Sequence, residues 1–402
     1  MCALAAGSKE MDGDRSYILL NLSTYFIFAI GPIVGNAVLA QLSPIAIDFA
    51  VDPTSVLSAI PAFMIPFAII QLFSGAISDV RGRIPVILAG LSTYLVGNTI
   101  IVFSATLIQF IFGNFLGGVG FGFVNPVLIA VLTDTAKRSE VSKRMGLLGA
   151  VATGSVGLGP GIAGQLALIG WRTFYVLFVF LTLFGMAAMC MANKPQGDIS
   201  VRTSVRELAA IFAEELRKPI VILLMLSSFL ISETYGALFI WTSRSLADFV
   251  EPSVSGIILL SLGVSGVIAG LSLGQLVERF SQKTVLYSGL LALVLSNLVL
   301  IFSVDSSGSA NPTMIGAGIL ILGWAGGTLS PNINTYSQTI SPGHRGALAG
   351  MVTFALFTGR ALVPALFGGF FETGIRQVYL AILVATGILI VLVLLLVRSV
   401  KK

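Results

Sequence analysis

Twelve apolar runs, each close to the length that crosses a bilayer as a helix, occupy almost the whole chain and limit its fold more than any other feature. They lie at approximately 17–42, 55–77, 84–104, 107–132, 145–169, 173–193, 219–242, 254–276, 284–303, 313–337, 346–371 and 377–397. A hydrocarbon core about 30 Å thick takes roughly 20 residues at helical rise. Inside it the backbone finds no water, so each run must satisfy its own N–H and C=O groups as a helix. The sequence therefore predicts an all-α membrane protein with twelve transmembrane helices. Composition agrees: 10% of residues are charged against 56% apolar, far from the soluble norm of about a quarter charged.

A charged segment between the second and third runs, Gly75-Ala76-Ile77-Ser78-Asp79-Val80-Arg81-Gly82-Arg83, has a degenerate copy at 274–282 that keeps Gly274, Glu278 and Arg279. In a chain of 402 residues the copies sit half a length apart, which predicts a duplicated six-span unit. The expected organisation is an N-terminal tail over 1–16, a first bundle over 17–193, a linker over 194–218, a second bundle over 219–397 and a C-terminal tail over 398–402. Within the linker, Leu208, Ile211, Phe212 and Leu216 recur at helical spacing. That pattern fits an amphipathic helix on the membrane face and, equally, a solvated linker helix. Duplicated membrane halves are the pattern of a transporter.

Charge sets the orientation. Of the 23 lysines and arginines, all but Arg172, Arg244, Arg376 and the intramembrane Arg360 fall on the side of the tails. The other side carries Asp48, Asp52, Asp248, Glu251, Asp305 and Glu372. The positive-inside rule then places both termini in the cytoplasm of a multi-pass cell-membrane protein. The net charge of +5 is a topology signal and implies no nucleic-acid partner. Two cysteines, Cys2 and Cys190, and one histidine, His344, are too few for a disulfide framework or a zinc or haem site, so no cofactor or metal is expected.

The 75–83 segment resembles the signature between the second and third helices of the major facilitator superfamily. Gly75, Asp79, Gly82 and Arg83 match that signature, Ile77 and Ser78 are conservative, and Val80 departs, with Arg81 bringing a charge one place later. Glycine permits a tight turn, Asp79 can cap or pair at a helix end, and the arginines stay at the interface, so the segment is expected to act as a cytoplasmic gating loop. In the fifth run, Gly146, Ser155, Gly159, Pro160, Ala163 and Gly164 reproduce the spacing of a motif similar to that of the superfamily's exporters, with Ser155 and Ala163 replacing glycines. Small residues let helices approach closely and Pro160 bends its helix, which predicts a helix-interface motif between the halves. A small-residue packing face is the plainer reading of the same residues. Proton-coupled members carry an arginine where Asn114 stands here, four residues before Gly118.

The resemblance implies two pseudo-symmetric six-helix bundles, working by alternating access as a monomer among membrane lipids. Two charges, Glu233 and Arg360, lie deep in the seventh and eleventh runs at equal depth, about 21 Å from the tail side at helical rise. Charge in a bilayer core is costly unless paired or hydrated, so the residues are expected to form an intramembrane ion pair or a proton-coupling device, with Arg360 able to bind an anionic substrate. Asn36, Asn114, Asn125, Tyr235, Trp324 and Asn332 are candidates for the wall of a substrate cavity. The expected function is proton-coupled export of small organic or lipophilic compounds, as in the drug:proton antiporter branch. The alternative is an importer or facilitator of a metabolite such as an organic anion, sugar or amino acid, and a membrane-embedded enzyme or channel is the remote one.

Overall fold

The computed structural model describes residues 2–136, 140–192, 205–304, 310–341 and 343–400. Among them, twelve helices are long and apolar enough to cross a membrane: Ile18–Ala40, Pro53–Arg81, Arg83–Val102, Leu107–Asp134, Lys143–Leu166, Arg172–Met191, Pro219–Leu246, Pro252–Phe280, Gln282–Phe302, Pro312–Ile340, Arg345–Phe371 and Ile375–Ser399. They are called the first to twelfth spans below. A shorter helix, Val205–Glu215, precedes the seventh span. The face on which it lies is the linker face, and the other is the opposite face. The helix of the first span begins at Cys2, so the expected tail is helical. Residues 194–204 of the expected linker and 401–402 of the expected C-terminal tail lie outside the described residues.

The two charged segments share a backbone geometry, in a form different from the expected loop. Residues 75–81 are the last turns of the second span, the third span begins at Arg83, and the whole turn is Gly82 at φ 90°, ψ 148°. Only glycine adopts that region freely. The second copy repeats the geometry: the eighth span ends at Phe280, the ninth begins at Gln282, and Ser281 between them has φ 77°, ψ 151°. A side chain there stores strain of about 1–3 kcal/mol. At the opposite face helices start on proline with a preceding cap. Asp52 accepts from the Thr54 N–H at 2.6 Å before Pro53, and Asn311 accepts from the N–H groups of Thr313 and Met314 before Pro312. Proline at the first helical position has no N–H to leave unsatisfied.

Spans one to six and seven to twelve form the two halves, which meet along two seams, the second span on the eleventh and the fifth on the eighth. The fifth–eighth seam is a backbone-to-backbone contact. A Cβ added at Gly157 would lie 2.5 Å from the Gly263 nitrogen, and one at Gly164 would lie 2.3 Å from the Pro252 carbonyl oxygen. Absent side chains are what bring these helices together.

Candidate functional site

Between the halves lies a cavity of about 330 Å³, walled by the first, second, fourth, fifth, seventh, tenth and eleventh spans. Its apolar side is aromatic: Phe28, Phe63, Phe67, Phe121 and Phe357 line it, with the Phe67 and Phe357 rings edge-to-face at 4.5 Å across the seam of the second and eleventh spans. Its polar side is sparse, and among the described residues Arg360 is the only charged one in the wall. The guanidinium of Arg360 donates to the Asn36 Oδ1 at 2.6 Å, and Asn36 in turn donates to the Pro32 carbonyl at 2.7 Å. The stem of Arg360 crosses the seventh span where Gly236 leaves room, and the Phe239 ring lies 5.9 Å from the charge.

The expected ion pair does not form. Arg360 and Glu233 share a depth, but depth does not fix direction around a helix. It is Gly359 that faces Phe229 and Glu233 of the seventh span, whereas Arg360 turns toward the first span. Glu233 is 3% exposed, and its Oε2 has no hydrogen-bond partner. Three expected wall residues, Asn36, Asn125 and Tyr235, line the cavity and three do not. Asn114 lies on the same helical face as Phe121 but seven residues, about 10 Å, further toward the opposite face, and donates to the Phe110 carbonyl. The tenth span turns Gly326, Ser330 and Asn334 to the cavity. Trp324 and Asn332, two positions away from that row, point about 200° from it at the helical repeat. Trp324 reaches Ser288 and Asn332 bonds the Thr328 carbonyl.

The two ends of the cavity differ. At the opposite face, polar contacts join the halves. Ser43 donates to the Ala247 carbonyl at 2.8 Å, Ser243 donates to the Leu39 carbonyl, and Gln165 donates to the Ser253 carbonyl at 3.0 Å. Arg244, 6% exposed, donates to Thr54 Oγ1 at 3.0 Å, pairs with Asp248 at 2.6 Å and reaches Asp52 at 4.0 Å. A hydrogen bond from the Thr54 side chain, with Arg244 nearby, holds the Asp52 carboxyl below its ordinary range, which keeps an anion opposite Arg244.

Toward the linker face lies a second cavity of about 580 Å³, with Asn125 and Thr353 in both walls. Asp79, Arg345 and the linker-helix residues Leu208, Ile211 and Phe212 line it. Here the strong polar contacts stay within one half. Arg83 pairs with Asp79 at 2.5 Å and Asp134 at 3.1 Å and donates to Ser78, so it ties the second, third and fourth spans together rather than latching the halves. Arg81 is exposed, as are Gly274, Glu278 and Arg279 of the second copy. Arg279 lies over the Phe280 ring at 5.3 Å, and Gln282 stands where Arg83 would recur. In the fifth span, Gly159 abuts the Ile33 carbonyl and Gly164 the eighth span, Ser155 and Ala163 are buried, and the Pro160 carbonyl faces Gly256, while Gly146 has open space around it.

The linker helix docks through a residue that sequence reasoning passed over. The buried Glu215 Oε1 receives Lys218 Nζ at 2.7 Å, Ser341 Oγ at 2.8 Å and His344 Nδ1 at 2.7 Å. Burial alone would raise this carboxyl, but those hydrogen bonds outweigh it and hold its pKa at about 2. Glu214, Glu215 and His344 bring their donor atoms within 4.8 Å of one another. A metal ion there would have to displace the Lys218 ammonium, so the cluster fits a latch better than a metal centre.

A model of the Major Facilitator Superfamily matches residues 17–247 and 246–402. The chain is 23% identical over 385 residues to Multidrug resistance protein 2 of Bacillus subtilis, covering 92% of this chain and 93% of that protein. It is 22% identical over 390 residues to the quinolone resistance protein NorA of Staphylococcus aureus, covering 94% and 96%. Among solved structures it resembles a mutant of the nucleoside transporter NupG with a TM-score of 0.74 at 13% identity, covering 95% of this chain and all of that one.

Proposed function

The chain belongs to the major facilitator superfamily, and from that premise we propose that it exports small organic, lipophilic compounds by alternating access, driven by protons. The observation that carries this reading is a central cavity walled by both halves, with contacts between the halves at one end and, toward the other face, a second cavity that shares Asn125 and Thr353 with it. Its aromatic wall with few polar groups suits lipophilic solutes. Relatives named for multidrug and quinolone resistance along more than nine-tenths of the chain support export over import. The linker face, which carries the excess of basic residues, is the cytoplasmic side, so the cavity opens inward. Glu233 is the proton carrier: a carboxyl in the membrane interior with an unpartnered oxygen can exchange a proton when the halves rock, whereas Asn114 cannot take the place of a charge.

The test is transport in proteoliposomes with an imposed pH gradient, using 1-naphthamide and 1-naphthoate as solutes. Extrusion against the solute gradient only when protons run the other way supports the proposal, and Glu233→Gln removes the coupling while leaving exchange of solute. Solute movement that follows its own gradient regardless of pH would favour the second reading, an importer or facilitator, to which the cation Arg360 in the cavity wall lends some weight.

A further inference from the structure

Among the described residues the cavity has one formal charge in its wall and no acid to balance it. Arg360 is 9% exposed. Burying a cation without a counter-ion costs several kcal/mol. What the protein offers in return is one neutral acceptor, Asn36 Oδ1 at 2.6 Å, and the face of Phe239 at 5.9 Å, a weak attraction at that distance. Glu233 does not line the cavity. A guanidinium has five N–H donors in a planar fork. Asn36 takes one of them, and Asn36 is itself anchored to its own helix at Pro32, so the guanidinium is held in place rather than neutralised. It lines a space that it shares with the phenylalanine rings named above and with neutral polar side chains such as Asn125, Ser330 and Asn334.

Resting on the transporter reading, we infer that the cavity selects organic anions: a flat aromatic body carrying one carboxylate, which the Arg360 fork receives in the bidentate geometry that carboxylates favour while the rings of Phe63, Phe67, Phe121 and Phe357 enclose the aromatic part. The anion supplies the counter-charge that the wall lacks. Asn36 belongs to the first half and Arg360 to the second, so a bound carboxylate sits on a contact between the halves and can loosen it as they rock. The volume, about 330 Å³, lies at the lower end of the range for small-molecule sites and suits a one- or two-ring acid.

The test uses three probes with one ring system and three charges: 1-naphthoate, 1-naphthamide and 1-naphthylmethylammonium, titrated calorimetrically into the purified full chain in detergent. The wild type is expected to bind the anion about tenfold or more tightly than the amide, and the ammonium weakest. Arg360→Lys should keep the order of preference, and Arg360→Gln should abolish it. Should Arg360→Gln fail to fold, Asn36→Asp places a carboxylate on the guanidinium and should likewise erase the preference while keeping the amide bound. The inference is overturned if the ammonium binds as well as the anion, if folded Arg360→Gln holds the anion unchanged, or if none of the three binds. Movement of each probe in proteoliposomes keeps the two claims apart. An amide that is transported without any charge preference leaves the transporter standing and removes the anion site. An anion that binds at Arg360 but is not moved leaves the site and removes the transporter.

Discussion

The two ends of the central cavity are held by different kinds of contact. At the opposite face the halves bond to each other, mostly side chain to backbone: Ser43 to Ala247, Ser243 to Leu39, Gln165 to Ser253, with Arg244 reaching across to Thr54. At the linker face, apart from the Glu215 latch of the linker helix, the charged contacts of Arg83 and Arg144 stay within a half. Arg83 holds Asp79 and Asp134, and Arg144 holds Glu140 together with Asn21 and Thr135. The difference shows how rocking can be cheap. Each half keeps its own integrity through internal ion pairs at the linker end, so that end can part without breaking a charge pair. The opposite end closes through several hydrogen bonds, each worth about 1 kcal/mol, a sum that a ligand or a proton can overcome.

The seam that both ends share is the place where a substitution should do most. Gly157→Leu would drive a side chain into the Gly263 backbone, where even a Cβ would lie 2.5 Å from the nitrogen. Overpacking of this kind costs about 1–3 kcal/mol or more. Transport should be lost and thermal stability lowered, and a fluorescence-monitored melt that matched the wild type would refute the tight seam.

Arg244→Ala removes the charged centre of the closed end. Hydrogen bonds to charged groups contribute about 1.5–3 kcal/mol. Asp52 and Asp248 are half-exposed and screened, which puts the net loss near the low end. A shift of about 1.4 kcal/mol changes the ratio of the two states tenfold, toward an open opposite face. Reaction of a cysteine placed at Ala247 with a membrane-impermeant maleimide should speed up accordingly, in a background lacking Cys2 and Cys190.

The linker latch should respond to acid alone. The Glu215 pKa is depressed from its ordinary 4.5 to about 2, so its contribution to docking is fully present above pH 4.5 and is lost as the pH falls through about 2. A spin label at exposed Ala209 should therefore keep one mobility from pH 8 to 5 and loosen only below about 4. Loosening already between pH 8 and 5 would contradict the Glu215 latch.

The smallest effect sharpens the comparison of the two turns. Ser281→Gly should stabilise the protein by about 0.5–1 kcal/mol and Gly82→Ala should destabilise it by about 1–3 kcal/mol, because both positions have a positive φ, 77° and 90°. Equal melting temperatures for both variants would deny that the turns carry strain.

The fold was legible because its determinants are local. Apolar length marks the twelve spans, and the repeated charged segment marks the two halves. The site was legible only in part, because its determinants are azimuthal and long-range. Glu233 and Arg360 share a depth but face different neighbours, and the partner of Arg360 is 324 residues away at Asn36. Asn332 and Trp324 sit on the tenth span as Asn334 does, yet point away from the cavity. The strain at Ser281 had no signal at all in a residue type that normally avoids positive φ. Only the 199-residue offset from Gly82 could have pointed to it.

Rigid-body rocking is tested most directly by distances at the two ends measured in one preparation. Exposed Phe103 and Phe302 close the third and ninth spans at the opposite face, and exposed Val80 and Phe280 lie near the ends of the second and eighth spans at the linker face. Spin labels on cysteines at each pair, in a background lacking Cys2 and Cys190, would be read by double electron–electron resonance at pH 8 and pH 5 and with Glu233→Gln. Alternating access predicts that the Phe103/Phe302 distance lengthens whenever the Val80/Phe280 distance shortens, and that Glu233→Gln fixes one of these states at both pH values. Two distances that move in the same sense, or that ignore both pH and Glu233, would contradict it.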